Sequence, residues 1–129
     1  GDPETEAVLP RIKSDLLELF LAVGEGKLSE KTLELDSRFA TTVMMVSNGY
    51  PEAYEKGGNI TGIENVQNAI VFHAGTKLEG EEIKTNGGRV IALTSLGEKM
   101  NEALTNSYAN AKKINFQGKY YRTDIGFDL

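Results

Sequence analysis

The residues best suited to chemistry gather in one short word, Asn86-Gly87-Gly88-Arg89. Adjacent glycines let backbone N–H groups approach an anion closely, as phosphate-cradling loops do. An arginine beside them supplies a planar cation matched to carboxylate or phosphate. The same word also serves as a tight connection between two strands, and a lone arginine is as readily a surface charge. His73 is the single histidine, so a site built on several histidines is excluded. It sits in Ala69-Ile70-Val71-Phe72-His73-Ala74, where strand alternation aims it either into packing or toward a site. Lys119-Tyr120-Tyr121-Arg122 interleaves bases with aromatics, the pattern of a surface for single-stranded nucleic acid. No G-x-x-x-x-G-K-[ST], H-E-x-x-H, G-x-S-x-G or glycine-rich dinucleotide fingerprint occurs. These residues by themselves do not compose a complete active site.

Charge and composition narrow the partners. The chain has 129 residues, 14 Lys plus Arg against 19 Asp plus Glu, and a net charge of −5. Such a chain has no bulk attraction for phosphate backbones or anionic lipid, so neither nucleic acid nor membrane is an expected partner. The absence of cysteine excludes disulfides, thiolate metal sites and cysteine nucleophiles, and fits a reducing, cytoplasmic setting. Apolar runs fall far short of the ~20 residues of a membrane span, and no secretory signal is expected. The length suits one domain with little room for a second.

The elements that must hold those residues are readable from periodicity. Ile12, Leu16, Leu19, Phe20 and Val23 share one face of a helix expected over 10–24, with Pro10 in its first turn and Gly24 and Gly26 at its end. Residues 28–35 read as a short helix or an extended link. Residues 41–47 read as a buried strand ending in the turn Asn48-Gly49-Tyr50-Pro51. A second strand is expected over 69–74, a hairpin over 76–85, and a further strand over 89–94. A second helix follows over 97–113, with Met100, Leu104, Tyr108 and Ala111 on one face. Residues 114–116 suit a short strand. Strands joined by a hairpin and followed by a helix give an α+β class, an antiparallel sheet with two main helices.

A longer pattern then emerges. Gly1-Asp2-Pro3-Glu4-Thr5, Ser14-Asp15-Leu16-Leu17-Glu18-Leu19, Gly49-Tyr50-Pro51, Val71-Phe72-His73-Ala74-Gly75-Thr76-Lys77, Thr85-Asn86-Gly87-Gly88-Arg89-Val90 and Asp124-Ile125-Gly126 follow one another in this order. The series resembles the C-terminal part of the phosphoribosylamine–glycine ligase (glycinamide ribonucleotide synthetase) family, over essentially the whole chain. Glu6 stands where that family usually has Gln, and Asn48 where it commonly has another Gly. Opening inside a motif, the chain is expected to be cut from a longer protein.

The resemblance implies an ATP-grasp ligase of de novo purine synthesis, which joins glycine to 5-phosphoribosylamine while ATP goes to ADP and phosphate. It implies a glycyl phosphate formed from glycine and ATP and then attacked by the phosphoribosylamine nitrogen. Transfer of this kind depends on positioning and on Mg²⁺ electrostatics. ATP and Mg²⁺ (or Mn²⁺) are therefore implied for the full-length protein. The family's metal ligands lie just upstream of the Gly-Asp-Pro-Glu word, so no metal ligand is expected in this chain, and neither cofactor is expected to bind it alone. Residues 1–38 would end the ATP-grasp domain. Residues 39–129 would form a small C-terminal domain of the rudiment single hybrid motif kind. The N-terminal and ATP-grasp domains of the same parent, glycine and phosphoribosylamine are the implied partners. Asp2 and Arg89 are the expected catalytic residues, and Pro3, Glu4, Gly87 and Gly88 the expected substrate-binding ones. Asp2 would offer a counter-charge to a substrate ammonium; its structural alternative is a cap before Pro3. A stand-alone binding module of the same fold without catalysis is the rival reading. An RNA-binding α+β domain would need a basic face that the net charge opposes.

Overall fold

The structure, a computed structural model, describes residues 3–127. It is an α+β arrangement with three α-helices, α1 (Thr5–Val8), α2 (Leu16–Gly24) and α3 (Met100–Ala111). The strands are β1 (Phe39–Val46), β2 (Ile70–His73), β3 (Thr76–Glu79), β4 (Glu82–Thr85) and β5 (Arg89–Gly97). An antiparallel sheet has the order β1-β5-β2, and β3 with β4 forms a separate antiparallel hairpin.

The central strand explains the sheet. Along β5, Val90 to Ser95 are all buried, because both faces are covered and β1 and β2 flank it. β1 instead alternates: Thr41, Val43 and Met45 are buried while their neighbours are half-covered, the period of a strand with one face on the core. Val43, Met45, Val90, Ile91, Leu93, Ala111 and Ile114 make the centre of that core.

The sheet is covered by α3 through Ala103, Ser107, Asn110 and Ala111. Of the expected face of Met100, Leu104, Tyr108 and Ala111, Ala111 is buried as expected, and the other three are half-buried to one side. Small side chains face the strands and let the helix approach closely, so the bulky residues rotate toward the C-terminal segment. There the Tyr108 hydroxyl accepts from the Ile125 N–H at 3.1 Å. The fully buried Asn110 fastens the 63–68 segment to α3. Its Oδ1 accepts from Gln67 N at 3.0 Å, and its Nδ2 donates to Gln67 O at 2.8 Å.

The N-terminal stretch departs most from expectation. The helix predicted over 10–24 splits into a 3₁₀ turn (Leu9–Arg11) and α2. Ile12 is extended and bridges Leu35, and Asp15 caps α2 by accepting from Leu17 N and Glu18 N at 2.8 and 3.1 Å. Residues 11–14 and 32–36 run side by side, tied by Lys13 N to Glu34 O, Asp36 N to Arg11 O, and the Arg11 guanidinium to Asp36 O. The loop they close carries α2 away from the sheet. Only Ala22 of α2 is buried, while Leu17 and Phe20 are 67% and 63% exposed.

Candidate functional site

A cleft of about 800 Å³ opens where α1, the end of β1 and the start of β5 meet. Its walls include Thr5 and Glu6 of α1, Met44 of β1, Tyr50, the bend at Gly75 and Thr76, and Asn86, Gly87 and Arg89. The floor is built from close backbone approach. A Cβ on Gly75 would lie 2.3 Å from Arg89 O and 2.8 Å from Gly87 Cα, so the chains touch where only glycine fits. Gly75 N donates to Val90 O at 3.0 Å, and Asn86 N to Gly75 O at 2.8 Å. The 86–88 loop is held from the other side by Ser47, whose Oγ donates to Gly87 O and whose N–H donates to Gly88 O.

The glycines of the 86–89 word do different things. Gly87 lines the cleft and is half-buried. Gly88 is buried beneath Tyr50: a Cβ there would sit 2.1 Å from Tyr50 Cδ2. Its missing side chain is what lets the tyrosine ring lie over the loop. Tyr50, joined to Pro51 by a cis peptide, also meets the Tyr54 ring edge-on at 6.0 Å.

Arg89 stands at the cleft mouth with 41% of its side chain exposed, and its Nη1 lies 3.7 Å from Glu6 Oε1. Among the described residues, the cleft lining offers the Arg89 guanidinium, the Glu6 carboxylate, the hydroxyls of Thr5, Tyr50 and Thr76, and the Asn86 amide. That set suits a polar ligand bearing an anionic group and hydroxyls. His73 is exposed just outside, its Nδ1 3.0 Å from Thr76 Oγ1.

Pro3 and Glu4 line a different groove, with Phe39, Met100, Leu104 and Ile125. The structure therefore brings Gly87 and Arg89 together but places Pro3 and Glu4 apart from them. Asp2 lies outside the described residues. Sequence reasoning passed over Glu6 and Tyr50 as site residues, although Tyr50 stands inside Gly49-Tyr50-Pro51 and Glu6 directly follows the opening word Gly1-Asp2-Pro3-Glu4-Thr5. Among the described residues no group of three or more His, Asp and Glu side chains is placed to hold a metal ion.

In the aromatic-basic quartet Lys119 and Tyr121 turn inward, while Tyr120 and Arg122 are exposed. The Lys119 ammonium donates to Ala111 O and Ile114 O beyond the end of α3, and burial pushes its pKa below the usual lysine range. Tyr121 packs on Tyr108, and the Arg122 guanidinium grips Asp124 at 2.8 and 2.9 Å. Among the described residues no helix is long and apolar enough to cross a membrane.

A family model described as the phosphoribosylglycinamide synthetase C domain matches residues 40–128. The chain belongs to that family. The phosphoribosylamine–glycine ligase of Caldanaerobacter subterraneus subsp. tengcongensis is 46% identical over 125 residues, covering 97% of this chain and 30% of that protein. The corresponding ligase of Escherichia coli O157:H7 is 47% identical over 130 residues, covering 98% and 30%. A bifunctional purine biosynthetic protein of Pichia angusta is 46% identical, covering 97% of this chain and 16% of its own length. Among solved structures, phosphoribosylamine–glycine ligase from Thermotoga maritima superposes with a TM-score of 0.75 at 35% identity, over 96% of this chain and 30% of that one. This synthetase C-domain chain therefore spans about 30% of the length of such single-activity relatives. The α+β architecture is that of the phosphoribosylglycinamide synthetase C domain and the solved ligase.

Proposed function

We propose that this chain is the C-terminal part of an ATP-dependent ligase that joins glycine to 5-phosphoribosylamine, giving glycinamide ribonucleotide, ADP and phosphate in the cytoplasm. One observation carries the reading: the chain aligns over nearly its whole length with relatives named for this ligation, yet fills 30% of them. The remainder of the parent, its N-terminal and ATP-grasp domains, supplies the ATP and Mg²⁺ (or Mn²⁺) sites. Residues 1–38 complete the ATP-grasp domain and residues 39–129 form the small domain beside it. The exposed apolar residues Leu17, Phe20, Leu21 and Val23 of α2 support a partner domain of the same parent on that side, since contiguous exposed apolar surface marks an interaction site.

Within the cleft, the Arg89 guanidinium holds an anionic group of substrate or of the acyl phosphate, with Gly87 leaving room for close approach. Gly88 acts through Tyr50, by letting that ring close over the loop. Asp2 offers the counter-charge to a substrate ammonium. Pro3 and Glu4 set the course of the chain into α1. The experiment is an ADP-release assay with glycine and phosphoribosylamine. The full-length ligase should turn over at a rate typical of enzymes, on the order of 1–10³ s⁻¹, while the 129-residue chain alone should release no ADP and show no heat of ATP binding by calorimetry. Turnover by the chain alone would overturn the reading.

A further inference from the structure

Glu6 is held at both its ends. Its carbonyl oxygen lies over a cross-strand threonine pair: Thr42 Oγ1 donates to it at 3.0 Å, and Thr94 Oγ1 lies 3.5 Å away. Thr42 and Thr94 face each other in the β1–β5 register and are themselves 2.7 Å apart. Its carboxylate reaches along the cleft to Arg89, at the first residue of β5. One residue of a four-residue helix thus connects the middle of the sheet with the cation at the mouth of the cleft.

We propose that Glu6 is a positioning residue, which docks α1 through its backbone and aims the Arg89 guanidinium through its carboxylate. The inference rests on Arg89 being the anion-holding group of the ligase. Stability is a poor account of the pair, because a contact at 3.7 Å with side chains 41% and 24% exposed is weak in water. Aim is a better one. An arginine side chain has many rotamers, and a carboxylate on one flank restricts them before the ligand arrives. The cost is electrostatic: a negative charge beside the guanidinium lessens its pull on an anion. Removing Glu6 should therefore loosen the aim while strengthening the pull. That combination lowers kcat without raising KM for the anionic substrate, a split that simple loss of a binding contact does not give.

The test is a double-mutant cycle in the full-length ligase with E6A, R89A and the pair, each read for kcat, KM for phosphoribosylamine and melting temperature. We expect R89A to lose at least about tenfold in kcat/KM. E6A should lower kcat with KM unchanged or lower, and the double variant should be no worse than R89A alone, since Glu6 acts through Arg89. If E6A lowers the yield of folded enzyme, E6M, which keeps most of the volume and removes both the charge and the acceptor oxygens, takes its place in the same cycle. If R89A is impaired but the Glu6 variant is unaffected, raises KM, or adds its loss to that of R89A, the positioning role is overturned and Arg89 stands. If R89A keeps full activity, the role of Arg89 falls, and that of Glu6 with it.

Discussion

Replacing Gly75 by alanine should damage the molecule out of proportion to the single carbon added. The new Cβ would meet Arg89 O at 2.3 Å and Gly87 Cα at 2.8 Å. Ordinary contact between such atoms is about 3.5–4.0 Å, so backbone must shift by an ångström or more. Neither neighbour is the end of a flexible side chain. Arg89 begins the central strand, and Gly75 is itself hydrogen-bonded through its N–H to Val90 and through its carbonyl to Asn86. Overpacking against a fixed surroundings costs about 1–3 kcal/mol, and loss of one of these backbone bonds adds about 1 kcal/mol. A total of about 2–4 kcal/mol is a large share of a domain's stability. Urea denaturation should show the midpoint falling with the slope unchanged. Gly24→Ala is the control: nothing lies within 4 Å of its Cβ and it ends α2, so it should be neutral or stabilising by up to about 1 kcal/mol. If Gly75→Ala shifts stability by no more than the control does, the close-packed cleft floor is wrong.

Other expectations follow from particular groups. Ser95 Oγ is fully buried with no hydrogen-bond partner, so Ser95→Ala should be neutral or stabilising by about 1 kcal/mol in thermal melts, and a clear loss would mean the hydroxyl is satisfied. Asn110→Ala should cost about 2–4 kcal/mol, because it leaves the Gln67 N–H and carbonyl without their buried partner; a melting temperature within a degree of the parent would refute it. The Arg38 hydrogen bonds hold the Asp36 carboxyl well below the usual range, Lys77 lowers Glu79, and Arg122 lowers Asp124. Carboxylates depressed in the folded state contribute stability above their unfolded pKa near 4 and lose it as pH falls through the folded value. Melting temperature should therefore be flat from pH 7 to 5 and drop below about pH 4, with a shallower drop in Asp36→Asn.

The parts of the fold that sequence made plain are those whose signals are local. β1 announces itself by β-branched and apolar residues before Asn48-Gly49, and the β3–β4 hairpin by Glu79-Gly80-Glu81 between alternating residues. The phase of α3 was not legible, because bulky apolar residues at helical spacing look like the buried face. The true face is made of alanine, serine and asparagine, which only the nearness of the sheet selects. The expected 10–24 helix failed for a related reason. Its periodicity is real, but Ile12 pairs with Leu35, a partner too distant in sequence to appear in any window. In the cleft, Arg89 and Gly87 could be singled out because glycine pairs beside arginine are a chemical pattern. Glu6 could not, since its role depends on a cross-strand threonine pair that periodicity does not reveal.

The loop that carries α2 is stapled at its base and bare at its tip, and this divides the molecule into regions that open at different free energies. The amides of Lys13 and Asp36 are locked across the base by Glu34 O and Arg11 O, whereas α2 beyond them has a single buried side chain. In the isolated chain its amides should exchange with deuterium through local fraying alone, long before those of β5, whose opening requires the whole sheet to come apart. A protease would likewise find 17–31 first, and a nick there would leave the downstream walls of the cleft, at Tyr50, Gly75 and Arg89, intact.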